Sequence, residues 1–306
     1  MDDPIGNSSA RAISHRLIEF GAALACDIKA SALLINADAA GTCDTMQGVL
    51  KGQPFRTIMV TRTASARSSL GTVFPQVAIP QVHMTQAGQV KAALLIGLAR
   101  GILKRGDRVV CLSGVDGANS IDALVVLTLG AEPGLFGALE AEPLGADVRP
   151  EVFERLVALA TQLAVEGREG RPVGAIFVLG DSPRVLPQTR SLVLNPFRNY
   201  PEAERNLLDP LLEETIKEFS AIDGAFVIRG DGVVLAAGVQ LLVGQPAIGL
   251  PKGLGTRHAA AAAITASTEA TAVAISQSTG TVTIFREGKL IASLPRASAG
   301  NHDRSL

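Results

Sequence analysis

The chain has 306 residues and a formal net charge of −1, and 47% of it is hydrophobic against 19% charged. That length is enough for about two domains with a substantial core. The near-neutral charge argues against binding nucleic acid through a basic face, and an aromatic content of 4% without tryptophan argues against stacking of single-stranded bases. We therefore expect a soluble globular protein with no nucleic-acid partner.

The cysteines and the apolar runs bear on location. Cys26, Cys43 and Cys111 show no paired spacing, which is typical of a reduced, cytoplasmic setting. The longest apolar run, residues 92–103, is interrupted by Arg100 and is shorter than the roughly 18 residues that a membrane span needs. The polar first residues do not have the pattern of a signal peptide. The sequence thus predicts a cytoplasmic protein without membrane insertion.

Between residues 14 and 130, helical and strand patterns alternate. Apolar strands that alternate with helices predict a mostly parallel α/β sheet that is covered on both faces. The predicted elements, in order, are a helix His15–Ile28, a strand Ala32–Ile35, a helix Cys43–Leu50, a strand Thr57–Val60, a helix Ala66–Leu70, a strand Ile79–Met84, a helix Ala87–Leu103, a strand within residues 106–114, and a closing segment Ile121–Leu129.

Three segments of this region, TIMVTRTASARSSLG, IPQVHMT and GILKRGDRVVCLSG, together resemble the carboxy-terminal α/β domain of pyruvate kinase. The resemblance implies a regulatory or structural unit without kinase chemistry. In that family the loop after the first strand can bind a phosphorylated effector. Here Thr61–Ser65 keeps the hydroxyl groups but lacks the family's glycine, which favours a scaffold for oligomer contacts over effector binding.

A segment rich in glycine, proline and acidic residues, residues 131–150, marks the boundary between two predicted domains, 1–140 and 141–306. The second domain is predicted to begin with an amphipathic helix, Glu151–Glu166. A strand within residues 174–181, a long loop over 193–210 and a helix over 211–219 follow. This helix leads directly to Asp223.

The segment from Asp223 to Ser276 carries the chemistry. It opens with a predicted hairpin, whose turn we assign to Asp231-Gly232. Gly253 and Gly255 then form a glycine loop, with Thr256 as the predicted N-cap of an alanine-rich helix that starts at about Arg257. A glycine loop that feeds a helix N-terminus presents free N–H groups, the arrangement that binds phosphate.

Two features of this segment have more than one interpretation. Arg257 and His258 place potential cations at a helix N-terminus, where the helix dipole disfavours them, so a bound phosphate would resolve the conflict. Equally, Arg257 could be solvent-exposed and His258 an interior histidine. Asp223 could hold a divalent metal or serve as a turn residue, and the same Asp-Gly-Ala string recurs at Asp116–Ala118.

The order of three segments, DGAFVIRGDGVVLAAGVQL, GTRHAAAA and VAISQSTGTVTIF, is similar to the diadenylate cyclase domain, which condenses two ATP into cyclic di-AMP. The resemblance covers residues 150–295 and implies a mixed-sheet α/β domain. With the pyruvate-kinase-like unit ahead of it, the chain resembles the archaeal type of this enzyme. One departure is Ala259, where many members have arginine.

The resemblance also implies the site and its partners. Asp223, Arg257 and His258 would be catalytic, with Asp223 holding Mn²⁺ or Mg²⁺. Two ATP would face each other across a homo-oligomer. The residues implied to contact ATP or its phosphates are Gly224, Ala225, Leu241, Gly253, Gly255, Thr256, Arg257, His258 and Ser276.

Other chemistries lack their motifs in this sequence. There is no P-loop, no zinc-binding HExxH and no GxSxG nucleophile elbow. Two further hypotheses remain beside the cyclase: a catalytically weak sensor that binds ATP or cyclic di-AMP, and a scaffold in which both domains serve assembly.

Overall fold

The computed structural model describes residues 4–40, 48–115, 120–130, 143–244 and 255–296. These residues form a five-stranded sheet of order β3-β2-β1-β4-β5 and a seven-stranded sheet of order β12-β11-β10-β6-β8-β9-β7. The strands are β1 Ala32–Asn36, β2 Arg56–Thr61, β3 Gln76–Ala78, β4 Arg108–Ser113, β5 Ala123–Thr128, β6 Ile176–Leu179, β7 Thr189–Ser191, β8 Ala225–Ile228, β9 Val234–Leu241, β10 Thr271–Ile275, β11 Val282–Arg286 and β12 Lys289–Leu294. The helices are α1 Pro4–Asp27, α2 Ala37–Ala40, α3 Ala64–Leu70, α4 Gln86–Ala99, α5 Pro150–Glu166, α6 Ser182–Val185, α7 Leu212–Phe219 and α8 Thr256–Ser267, with 3₁₀ turns at Leu186–Gln188 and Glu202–Arg205.

The first sheet is mostly parallel, as the alternating pattern predicted. Strands β1 to β4 pair in parallel, and β5 adds an antiparallel edge. Successive residues of a strand point to opposite faces. In β1, Leu33 and Ile35 join the core cluster of α1, whereas Ala32 and Leu34 join that of α4. Both faces are therefore covered, which explains the continuous apolar strands.

The second sheet is mixed, which confirms the fold class expected for this half. Strands β6 and β8 are parallel, and the other pairs are antiparallel. Helix α8 covers one face through Ala261, Ala262 and Ile264. Phe177 and Phe226 face the opposite side, with ring centroids 4.9 Å apart, and they pack in the cluster that includes α5.

Helices α4 and α5 form a layer that belongs to both halves of the chain. Helix α4 contacts α5 and also β12 of the second sheet. Residues on both sides of this layer join one continuous core cluster, in which Leu94 and Leu95 of α4 and Leu156 and Leu159 of α5 are fully buried. The two sheets are thus joined through a shared apolar core. None of the described helices is both long and apolar enough to cross a membrane.

The element boundaries differ from prediction in a few places. Strand β3 ends at Ala78, ahead of the predicted Ile79–Met84, because Pro80 has no N–H for a sheet ladder. Helix α4 stops at Ala99, and Gly101 follows with a φ of 66°. The hairpin turn is longer than the two residues predicted, since Arg229 and Val233 still pair through a backbone hydrogen bond.

Some predicted features fall partly or wholly outside the described residues. Most of the helix predicted at Cys43–Leu50 does so, although residues 48–50 are helical. The second Asp-Gly-Ala string, Asp116–Ala118, also lies outside the described residues.

The hydroxyl-rich loop after β2 is held by an internal carboxylate. Asp38 accepts hydrogen bonds from the backbone N–H groups of Arg62 and Thr63, at 2.7 and 3.2 Å, and from the Thr63 hydroxyl at 2.5 Å. Thr63 also caps α3 by accepting from the Ala66 N–H. These donors would otherwise be the natural ligands of a phosphate. Their use by Asp38 supports the scaffold interpretation of this loop.

Candidate active site

Four segments that are distant in sequence meet at one edge of the seven-stranded sheet. Strand β8 runs parallel to β6, while β9 and β10 run antiparallel to their neighbours. The start of β8 therefore lies at the same edge as the ends of β9 and β10. Asp223, Leu241 and Ser276 are each at, or within two residues of, one of these strand ends. The N-terminus of α8 joins them there through Arg257.

The guanidinium group of Arg257 links these segments. It donates from Nη2 to Asp223 Oδ1 at 3.1 Å and from Nη1 to Gln277 Oε1 at 3.4 Å. Gly174, just ahead of β6, leaves room for it, because a Cβ at Gly174 would lie 2.7 Å from Nη1. The Asp223 carboxylate thus supplies an anion to a cation that stands at a helix N-terminus, which partly relieves the unfavourable interaction with the helix dipole.

The first turn of α8 is open for an anion. The helix begins at Thr256 with Gly255 as its N-cap, so the prediction that Thr256 is the N-cap is wrong by one residue. Gly255 has no side chain to accept from the backbone, and its carbonyl already accepts from the N–H groups of His258 and Ala259. The N–H groups of Thr256 and Arg257 belong to this first turn and have no partner among the described residues, which is the arrangement that binds phosphate. Gly253 lies outside the described residues.

His258 is an interior residue that also borders the site. Its side chain is 5% exposed, and its ring meets that of Phe285 edge-on, with centroids 6.1 Å apart. Burial lowers the pKa of His258 below its ordinary value of 6.5. The imidazole is therefore neutral near pH 7, where it can donate one hydrogen bond to a phosphate but adds no positive charge.

This burial predicts a pH dependence of stability. Because the pKa of His258 is lowered in the folded state, the unfolded chain binds the extra proton first as the pH falls below about 6.5. The free energy of unfolding should therefore decrease from pH 7.5 to pH 5.5, and one such group contributes at most about 1.4 kcal/mol per pH unit. Urea unfolding at several pH values should give a shallower slope for His258→Gln than for the wild type. Equal slopes would contradict the prediction.

A cleft of about 500 Å³ opens beside the N-terminus of α8. Its lining is rich in hydroxyl groups, and Arg257 is the one formal positive charge among its described lining residues. No second lysine or arginine among them replaces the cation lost at Ala259. The lining residues are Gly255, Thr256, Arg257, His258, Ile275, Ser276, Gln277, Ser278, Thr279, Thr281, Thr283, Leu290 and Ser293.

Sequence reasoning identified one of the hydroxyl residues after β10 and missed the rest. Ser276 lies near Ser278, with their oxygens 3.2 Å apart, and accepts from the N–H of Thr279 at 3.3 Å. Gln277, which holds Arg257 in place, was not predicted. The density of serine and threonine in ISQSTGTVT was the available signal, but no motif singled out Gln277.

The predicted residues around Asp223 have different environments. The Asp223 side chain is 88% exposed, whereas Ala225 is buried. Gly224 has a φ of 121°, and a Cβ there would lie 2.7 Å from the backbone of Gly238 and Val239. Leu241 is partly buried against the core under α8. Only glycine fits at position 224, so the backbone itself fixes the position of Asp223.

The donor set at Asp223 fits a metal that arrives with a nucleotide. Within the described residues, no three His, Cys, Asp or Glu side chains cluster as a metal site would require. Asp223 has one oxygen on Arg257 and a second for which no partner is seen among the described residues. Mg²⁺ is commonly held by one or two carboxylates together with substrate phosphates, and a single exposed carboxylate matches that pattern.

An open helix N-terminus, a hydroxyl-lined cleft and an exposed carboxylate at the edge of a mixed sheet define a nucleotide-binding α/β domain. Residues 162–290 match the family described as DisA bacterial checkpoint controller nucleotide-binding. Residues 14–136 match the family described as Probable sensor domain DacZ_P. The chain is 35% identical over 196 residues to the diadenylate cyclase of Haloferax volcanii, covering 63% of this chain and 70% of that protein. The chain belongs to the diadenylate cyclase family.

Two other similarities extend the comparison. The diadenylate cyclase of Methanocaldococcus jannaschii is 29% identical over 308 residues, which covers 94% of this chain and 98% of that protein. The family assignment from the sequence motifs is therefore confirmed, and the chain is an enzyme of this class. A pyruvate kinase from Cryptosporidium parvum is 12% identical with a TM-score of 0.31, covering 38% of this chain and 22% of that one. The fold of the first half is therefore assigned from its own sheet topology and not from this similarity.

Proposed function

We propose that this enzyme condenses two ATP into cyclic di-AMP and two pyrophosphates, with the site around Arg257 as its active site. The observation that carries the proposal is the position of Arg257. Its guanidinium joins Asp223 to Gln277 at the N-terminus of α8, beside a cleft large enough for a nucleotide. A cation, open backbone N–H groups and a carboxylate are thus available within one site.

Each residue has a distinct role in the proposed reaction. Arg257 and the first N–H groups of α8 would bind the triphosphate, with Thr256, Ser276 and neutral His258 completing the contacts. Asp223 would hold the metal ion next to a ribose 3′-hydroxyl and help to activate it, and the hydroxyl proton would pass to solvent. The 3′-oxygen forms a bond to the α-phosphorus of the facing ATP, the bond to the β-phosphate breaks, and pyrophosphate leaves. A second reaction in the opposite sense closes the ring.

We infer that Asp223 holds Mn²⁺ or Mg²⁺ together with the substrate phosphates. When bound, such an ion neutralises charge that develops on the phosphoryl oxygens. Asp223 would keep one oxygen on Arg257, so a single carboxylate aligns both the cation of the chain and the ion. Positioning and charge neutralisation by these groups supply most of the acceleration in phosphoryl transfer.

The surface beside Asp223 suits a facing copy of the domain. Several large apolar side chains are exposed there, and Leu194 is 95% exposed. Val193 lies against Gly238, next to the Asp223 carbonyl. Exposed apolar patches on soluble proteins commonly mark interfaces. The exposed residues of this region are Leu192, Val193, Leu194, Ile222 and Leu242. We propose that two copies meet here with their ATP molecules face to face, so that a monomer is inactive.

The direct test is incubation of the purified protein with ATP and Mn²⁺, followed by mass analysis of the nucleotides. We expect cyclic di-AMP and pyrophosphate. If two chains form each reaction centre, the activity per mole of protein should also rise with protein concentration and reach a plateau. Absence of product with Mn²⁺, Mg²⁺ and Co²⁺ would refute the proposal. Activity that is independent of concentration down to a demonstrated monomer would refute the facing arrangement.

A second candidate is a sensor that binds ATP or cyclic di-AMP with little turnover. The observation in its favour is that Arg257 is the one permanent positive charge among the described residues of the cleft, with Ala259 in place of the family's arginine. ATP binding by calorimetry without release of pyrophosphate would select it. The scaffold hypothesis has no comparable support, because it leaves the open helix N-terminus unexplained.

Three broader assignments accompany the proposed reaction. We propose a domain boundary at 140/141, between the segments that match the two families. A cytoplasmic location is supported by Cys26 and Cys111, which are free thiols. Burial raises the pKa of the Cys111 thiol to about 12. We continue to expect no nucleic-acid partner, because the net charge is −1.

A further inference from the structure

A second cleft, of about 470 Å³, lies between the two halves of the chain. One wall comes from the first half, with Arg62 after β2, Arg67 on α3, Gln76 on β3 and Arg100 after α4. The other wall is one face of α5, with Glu151, Glu154 and Arg155. This volume is typical of a small-molecule site, and it is separate from the cleft beside Arg257.

Positive charge predominates in this interdomain cleft, with four arginines against two glutamates. Arg155 is already paired with Glu213 at 2.8 Å. The Arg67 side chain is exposed and makes no hydrogen bond or ion pair within the described part of the chain, although its charge acts on Glu154. The side-chain oxygen of Gln76 is buried without a hydrogen-bond partner among the described residues. That oxygen is an acceptor and cannot contact an anion, so the attraction of the cleft for an anion comes from its arginines.

One carboxylate of the chain already occupies part of this cleft. Glu154 Oε2 lies 3.3 Å from Arg100 Nε, and Arg100 also donates from Nη1 to the Gln76 carbonyl at 3.0 Å. Burial raises the pKa of Glu154, although Arg100 and Arg67 act in the opposite direction. A carboxylate that is costly to keep charged in its own site can be displaced by a stronger anion.

We propose that the interdomain cleft binds a phosphorylated small molecule, which contacts Arg67 and takes the place of Glu154 on Arg100. Arginine can bind phosphate through two parallel hydrogen bonds, whereas Glu154 meets Arg100 through one contact at 3.3 Å. The backbone N–H groups and the Thr63 hydroxyl of the Thr61–Ser65 loop do not bind the ligand, because Asp38 holds them; this loop contributes the Arg62 side chain to the lining of the cleft. The ligand contacts the end of α4 and one face of α5, the helices that pack between the two sheets. Its binding can therefore affect both halves of the enzyme.

Calorimetric titration with inorganic pyrophosphate tests this site in the full-length Arg257→Gln protein, in which the active-site cleft has lost its cation. We expect binding that is weakened at least about tenfold by the added change Arg67→Gln, since a charge-assisted contact is lost. The added change Glu154→Gln should instead tighten binding, because it removes the competing anion. Arg16→Gln, on an exposed arginine of α1, is the matched control and should leave affinity unchanged.

The outcomes separate this site from the active site. The background lacks Arg257, so the result does not depend on whether the proposed reaction is correct. Arg67 is exposed, so Arg67→Gln should fold normally, which a thermal melt checks. The proposal is overturned if pyrophosphate does not bind the background protein, if Arg67→Gln binds it equally well, or if Glu154→Gln weakens binding. The last result would indicate that Glu154 only holds the two halves together.

Discussion

Replacement of Asp223 by asparagine is expected to reduce formation of cyclic di-AMP by at least about 100-fold. Asparagine has nearly the same shape but cannot offer a charged oxygen to Mn²⁺ or Mg²⁺ beside the 3′-hydroxyl. It also leaves Arg257 without its 3.1 Å ionic partner. The measurement is the initial rate of product formation from ATP and Mn²⁺, quantified by mass analysis.

The Asp223→Asn variant should fold as the wild type does. The side chain is 88% exposed and its partner Arg257 is 33% exposed, and ion pairs at such positions contribute little to stability. Glu204→Gln, which makes the same chemical change at another exposed carboxylate of this half, is the control and should keep full activity. Equal product from Asp223→Asn and the wild type would remove Asp223 from its proposed role, while the reaction itself would stand.

Replacement of Gly224 by alanine is expected to destabilise the protein by about 2–4 kcal/mol. The backbone φ of 121° disfavours any side chain, and the new Cβ would lie 2.7 Å from backbone atoms of Gly238 and Val239 on the paired strand. Neither backbone can move away without breaking the β8–β9 pairing. Thermal unfolding should show a Tm lower by about 5 °C or more, and activity should fall because Asp223 moves with Gly224.

Gly255→Ala provides the matched comparison for this prediction. Its φ is −74°, and no described residue lies within 4 Å of an added Cβ. The change in the free energy of unfolding should stay within about 1 kcal/mol, since the small loss of N-cap preference is offset by a less flexible unfolded chain. If the two variants melt at the same temperature, the constraint at Gly224 is not the one described.

The alternation of helices and strands and the burial of most strands could be predicted from the sequence. A strand that is covered on both faces is apolar at nearly every position, so Leu33–Ile35 and Phe177–Leu179 are visible as continuous apolar runs. Errors arose where a single residue overrides the pattern, as Pro80 does for β3. These are local properties, and local sequence encodes them.

The features of the candidate site can also be separated into those that local sequence predicts and those that depend on tertiary structure. A glycine loop, a helix start and the order of the Asp-Gly-Ala and Arg-His motifs are contiguous signals, and they led to Asp223, Arg257 and His258 as predicted site residues, which remain to be tested by mutation. The N-terminal position of Arg257 on α8 follows from sequence alone. That His258 is neutral does not follow from sequence alone, because its pKa depends on burial against Phe285 of β11.

What the sequence determined by itself is the two α/β halves and the family, and it predicts the segment that carries the chemistry. Only the tertiary structure decided that Gln277 and Gly174 position Arg257, that α4 is shared between the two sheets, and that Arg67, Arg100 and Glu154 meet in one cleft. The physical reason is that strand order and layer packing bring together residues that are 20 to 87 positions apart in the sequence. Local sequence periodicity cannot predict these contacts, because each one depends on the order of the strands in the whole sheet.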